Sequence, residues 1–217
     1  MTKVNIVIFL LSLISLNGSY LSDANIKLAQ NNIDEAIKLY KLSAREGEDE
    51  ANFQLGKIYY QKKDLNKSFE YFKKASDYGH QKAKFNLGVI FSQKKFDKFS
   101  YKSSYKLFYD LATQNYTSAQ YKVGIYLLYG IGVPKDYAMA KAWLERAYFK
   151  NDHEKAACGL ATIYANGFGV IQNLGRARKL SEDKINKYPL CKKVFQEFKL
   201  YKSKYKEDKG FKSGYYK

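Results

Sequence analysis

Apolar positions along this chain recur at helical spacing, and they do so in alternating blocks. One block reads Ala51-Asn-Phe-Gln-Leu55-Gly56-Lys-Ile-Tyr59, and it returns at Ala83 to Phe91, Ala119 to Leu127 and Ala156 to Tyr164. The starts at 51, 83, 119 and 156 are 32, 36 and 37 residues apart. A second block occupies the intervals: Ala36 to Ser43, Ser68 to Ala75, Ser104 to Leu111 and Ala140 to Ala147. Small and large apolar residues at i, i+3, i+4 and i+7 give each block one apolar helical face. A period in this range predicts helical hairpins stacked as a solenoid. Gly56, Gly88 and Gly124 hold one register inside the first block. Glycine costs about 1 kcal/mol there against alanine, so its recurrence implies close approach of two helix backbones.

Between the blocks, Gly130-Ile-Gly132-Val133 precedes Asp136, and Gly167-Phe-Gly169-Val170 precedes Asn173. With these loops the chain resembles the Sel-one-like repeat family, a longer-looped relative of tetratricopeptide repeats. Ala119 to Ala147 matches the family pattern nearly in full, departing at Val123, Leu127 and Met139. Ala156 to Lys179 matches through its first half, whereas Ala51 to Gly79 lacks the glycine loop and reads more like a tetratricopeptide unit. Ser92 to Ser103 is a longer, irregular connection. The resemblance spans Tyr20 to Lys187. It implies an all-α, right-handed α-solenoid of about five helix-turn-helix repeats with a C-terminal capping helix.

The resemblance also implies a binding surface, because in related solenoids the first helix of each repeat lines the concave face. Carried over residue by residue, this puts Phe53, Phe85 and Tyr121 at one equivalent position, with Lys57 and Ile125 a turn later and Tyr60 and Tyr129 flanking. Such a groove suits an extended peptide or a short helix of a protein partner. The alternative is that these rings pack between neighbouring first helices. Cys158 lies in the fourth of these first blocks, and Cys191 falls where a further first-type helix would begin. The pair is either one disulfide or two free thiols. Some exported relatives carry a cysteine pair in every repeat, which this chain does not.

The two ends differ from the repeats. Met1-Thr-Lys3, the apolar run Val4 to Leu16 and the small residues Asn17-Gly18-Ser19 have the layout of a secretory signal peptide over residues 1–18. The run is shorter than the roughly 20 residues a membrane-spanning helix needs, so no transmembrane segment is expected in the mature chain. The protein is expected to be exported, as a periplasmic or secreted protein, with the solenoid at 19–190. Residues 191–217 are expected to form the capping helix and a tail that alternates lysine with aromatics. The helix is expected to run to about Tyr205.

Charge adds a second theme. The net charge is +17, carried almost wholly by lysine, since the arginines are Arg45, Arg146, Arg176 and Arg178. This attracts anionic surfaces through salt-sensitive forces, and an anionic envelope surface is a second candidate partner. Scarce arginine argues against specific nucleic-acid recognition.

Signals for catalysis are weak. His80 and His153 fall in inter-repeat turns and read as surface histidines. No His, Cys or carboxylate cluster has metal-ligand spacing. Ser-x-x-Lys occurs at Ser92, Ser103 and Ser203, as expected by chance in a lysine-rich chain, and without a Lys-Thr-Gly partner. A cell-wall or β-lactam hydrolase therefore rests on family analogy alone. The expectation is a scaffold or adaptor without catalytic residues, metal or cofactor. Its alternative is a protein that associates with an envelope polyanion through its lysine surface and tail.

Overall fold

A computed structural model describes residues 20–202. The expected signal peptide at 1–18 and the tail beyond Lys202 lie outside the described residues. Within them the chain is helical, without strands. It divides between Ser100 and Tyr101 into two compact units, each described by itself.

The first unit holds α1 (residues 20–29), α2 (Ile33–Arg45), α3 (Asp49–Gln61), α4 (Leu65–Asp77) and α5 (Gln81–Phe91). The second holds α6 (Tyr101–Thr113), α7 (Thr117–Tyr129), α8 (Tyr137–Glu145), α9 (Glu154–Asn166), α10 (Leu174–Ser181) and α11 (Pro189–Glu197). A π-helical turn, Arg146–Lys150, prolongs α8. Successive helices pack as antiparallel neighbours within each unit, which is the expected hairpin solenoid. The first-type helices are α3, α5, α7, α9 and α11. The irregular connection, residues 92–100, follows α5 and ends at the division between the units.

Local chemistry explains the boundaries. Four second-type helices begin on a capping Asn or Asp: Asn32, Asp64, Asp136 and Asn173 each accept a backbone N–H three residues on. Such a cap stabilises a helix by about 1 kcal/mol. In the first of the two longer loops, Gly130 and Gly132 adopt φ of 72° and 70°. At Gly132 a Cβ would lie 2.6 Å from the Tyr101 backbone carbonyl carbon. This loop therefore lies directly on the start of the preceding second-type helix, and only glycine fits. Gly56 serves the helix contact: a Cβ there would come within 2.5 Å of the Phe72 ring.

The cores follow the apolar faces. Ala36, Ile37, Tyr40, Ala51, Leu55 and Ile58 form one buried cluster in the first unit, with Tyr40 donating to Asn25 Oδ1 at 2.6 Å. In the second unit Leu144 is fully buried against α7 and α9, near Gly124 and Gly159. Cys158 and Cys191 are joined by a disulfide that ties α9 to α11. Beside it, Glu154 accepts hydrogen bonds from Lys187 and Tyr188. The last helix starts with Pro189 at its first turn, where no N–H is needed, two residues ahead of the expected domain boundary. It stops at Glu197, short of the expected Tyr205, because Lys199 takes φ of 48° and the chain turns to bury Leu200 completely.

Candidate partner-binding groove

On α3, residues 50, 53, 54, 57, 60 and 61 share the face away from the α2 contact, following helical spacing. Their side chains are linked. Gln54 donates to Glu50 Oε1 at 2.6 Å, and Lys57 donates to Gln54 Oε1 at 3.0 Å. The Lys57 ammonium also lies 5.6 Å from the centre of the Phe53 ring. Tyr60 accepts from Gln93 at 3.3 Å. Across from this row, α5 contributes Asn86 and Val89, and Phe72 of α4 forms the floor. Together with Lys57, Tyr60 and Gln61 they line a cleft of about 150 Å³. It presents an aromatic and aliphatic base under a rim of donors and acceptors.

The expected groove residues fall into two sets, one per unit. In the first unit, Lys57 and Tyr60 line the cleft. Phe53 stands beneath it, buried to 8% exposure, with its ring 4.3 Å from that of His80 and 5.8 Å from that of Phe72. It supports the wall and offers little free surface. Phe85 is half-buried on α5. In the second unit, Tyr121, Ile125 and Tyr129 follow one another along one face of α7, with Tyr121 and Ile125 half-buried and Tyr129 exposed. Burial raises the pKa of the Tyr121 hydroxyl, and nearby Tyr129 adds to the shift. Tyr129 is also shifted upward, first by burial, although a hydrogen bond to Thr162 acts the other way.

The histidines are not the surface residues that the turns suggested. His80 caps α5 by accepting from Ala83 N–H at 3.1 Å, and its other ring nitrogen is 3.1 Å from Glu50 Oε2. His153 precedes α9 and stacks on Tyr121, with ring centres 4.7 Å apart. Its Nδ1 is buried without a hydrogen-bond partner. Burial lowers its pKa, and Lys155 reinforces that shift. Each histidine thus packs on the aromatic residue of the preceding first-type helix. Their sequence signal was positional: both stand just before a first-type helix, at one register of the repeat. Asn86 and Gln61 were also missed, since neither belongs to the repeated apolar pattern.

Among the described residues no group of three or more His, Cys, Asp or Glu could hold a metal ion. No described helix is long and apolar enough to cross a membrane.

Comparison with known proteins adds the family context. The Sel1 repeat model matches residues 8–48, 117–150 and 154–182, and a tetratricopeptide repeat model matches residues 49–78. An uncharacterised Sel1-like repeat-containing protein of Schizosaccharomyces pombe is 31% identical over 98 residues, which is 43% of this chain and 15% of that protein. Protein sel-1 homolog 2 of Rattus norvegicus is 36% identical over 69 residues, covering 32% and 10%. The chain thus spans a small fraction of either relative. Among solved structures, c5321, a protective antigen present in uropathogenic Escherichia coli strains with the same repeat fold, superposes with a TM-score of 0.72 at 21% identity, covering 86% of this chain and 42% of that one. A Sel1 repeat protein from Oxalobacter formigenes gives 0.65 at 26% identity, covering 80% and 69%.

Proposed function

We propose that this chain, a Sel1-repeat protein with one tetratricopeptide repeat in its array, is an exported scaffold that holds a segment of a protein partner against its first-type helices. The observation that carries this reading is the cleft between α3 and α5. Its floor is the Phe72 ring and its rim is Lys57, Tyr60, Gln61 and Asn86. A peptide laid there would bury apolar side chains on Phe72 and Val89. Its backbone amides and carbonyls would meet the polar rim. The Glu50–Gln54–Lys57 row is already hydrogen-bonded, so little side-chain freedom is lost on binding.

Export is part of the proposal. It is supported by the leader-like residues 1–18 and by the Cys158–Cys191 bridge, since disulfides persist in oxidising compartments. We assign the chain no catalysis and no cofactor.

The test is site-specific photo-crosslinking in the native cells, with the photoreactive residue placed at Tyr60 or, as a control, at exposed Tyr109. A discrete protein captured from position 60, absent from position 109 and retained through high-salt washes, supports the groove. Capture equal at both positions, or lost at high salt, refutes it and favours binding of an anionic envelope surface by the lysine exterior.

A further inference from the structure

A second cleft, of about 490 Å³, opens in the first unit on the opposite side of α3, between α2 and α4. Its walls are cationic and aromatic. Lys41 and Arg45 stand one turn apart on α2, with Ala44 between them leaving room. Tyr71 and Lys74 on α4, with Tyr78 at its C-terminal cap, form the facing wall. None of the three cations is paired with a carboxylate among the described residues. The acid nearest in sequence to Lys74, Asp77, is held by Lys73 at 2.8 Å. The Tyr71 ring is fixed from behind by stacking on Tyr59, with centres 5.4 Å apart, and the Lys74 ammonium lies 5.5 Å from its centre.

The base of this cleft is unusual. Asn52 lines it at only 5% exposure, and its side chain makes no hydrogen bond. In the second unit the same register of the repeat is Gln120, which is fully buried and fully used. It donates to Ala112 O at 3.4 Å and accepts from Asn151 at 3.0 Å. The unbonded polar atoms fully enclosed among the described residues are Ser43 Oγ, Trp143 Nε1 and His153 Nδ1, and not the Asn52 amide, which keeps contact with solvent in the cleft. The Asn52 amide is therefore open to a ligand in the cleft.

We propose that this cleft binds the phosphoryl group of a small phosphate ester. Three unpaired positive charges match a dianion better than a single carboxylate. The planar fork of Arg45 can bridge two phosphoryl oxygens, the lysine ammoniums supply point charges, and the Asn52 amide reaches a third oxygen from below. The exposed face of Tyr78 and the edge of Tyr71 leave space for a sugar ring carried by the phosphate. The inference is independent of the partner groove, because the two clefts share α3 but no lining residue.

The test is a nuclear magnetic resonance titration of the full chain with glucose 6-phosphate, inorganic phosphate and glucose in separate arms. Saturable shifts centred on Asn52, Arg45 and Tyr78 are expected with the two phosphates and none with glucose. Tighter binding of glucose 6-phosphate identifies a sugar phosphate as the ligand class, and equal binding identifies free phosphate. Removing two exposed charges, Arg45→Ala with Lys74→Ala, should weaken binding about tenfold, equivalent to about 1.4 kcal/mol. Removing two equally exposed lysines elsewhere in the unit, Lys94→Ala with Lys95→Ala, should change it less than about twofold. Equal weakening in both variants, shifts spread over the lysine surface, or no saturable binding would overturn the proposal.

Discussion

Reduction of the Cys158–Cys191 disulfide is expected to loosen the end of the second unit by an amount that can be worked out. The bridge links positions 33 residues apart. In the loop-closure model a cross-link of that span stabilises by about 3.5–4 kcal/mol at 25 °C. Both cysteines are buried, and α11 packs on α9 and α10, so reduction removes the tether and leaves that packing to act alone. The bridge is the covalent link from α9 to α11, and the loss should therefore concentrate in α11 and the turn that buries Leu200. The assay is thermal unfolding with and without reductant, paired with hydrogen exchange. A fall in Tm of at least ~10 °C is expected, with protection lost first over α11. The Cys158→Ala/Cys191→Ala variant should match the reduced protein. The same bridge tests export: alkylation of protein taken directly from native cells should leave both cysteines unlabelled. A Tm unchanged by reductant, or two labelled thiols in untreated protein, would refute the reasoning.

Three further outcomes follow from particular contacts. Gly56→Ala should destabilise by up to ~2 kcal/mol in urea unfolding, because overpacking against buried Phe72 outweighs the roughly 1 kcal/mol gain in helix propensity; a more stable variant would mean that the two helices have slack. Phe53→Ala should cost about 3 kcal/mol and Tyr60→Ala less than about 0.5, while only Tyr60→Ala should weaken capture of a groove partner without loss of fold; equal stabilities would mean that Phe53 is not part of the packing. His153, with its pKa lowered by burial, favours its neutral form in the fold. Its contribution is therefore fully present above the unfolded value of about 6.5 and is lost as pH falls through the lower folded value. His153→Phe should flatten the decline in Tm between about pH 7 and 5, and an unchanged profile would exclude this histidine as its source.

What the sequence disclosed and what it hid divide along a physical line. Hairpin periodicity, the close contact at Gly56 and the turns at Gly130 and Gly132 were legible because they depend on local spacing and on residue size. The roles of Phe53 and His80 were not, because each depends on the other across 27 positions of chain. An aromatic at a groove-facing register looks free until a neighbouring turn supplies a ring to cover it. The cationic cleft was hidden for a related reason. Lys41, Arg45 and Lys74 sit among many lysines, and composition cannot distinguish a paired lysine from an unpaired one. Lys73 and Lys74 are adjacent, yet Lys73 is bound to Asp77 and Lys74 has no such acid.

The excess of lysine is therefore better read helix by helix than as one number. Asn52 and Lys57 lie about 140° apart around α3 at 3.6 residues per turn, so one helix presents two chemically different faces. On one face Lys57 is engaged by Gln54 and sits over Phe53, and its charge is part of a bonded row. On the other, Asn52 is unbonded and the surrounding cations are unpaired. Salt should separate the faces: screening weakens the unpaired cluster strongly, while binding over Phe72 and Val89 rests mainly on apolar burial and persists. A repeat array that holds a protein segment on one side of a helix can in this way take a small anion on the other. Because both clefts lean on α3, a ligand that orders Asn52 would also stiffen the helix that carries Lys57 and Tyr60. Partner affinity measured with and without glucose 6-phosphate should then shift in the same direction and by the same factor as phosphate affinity measured with and without partner.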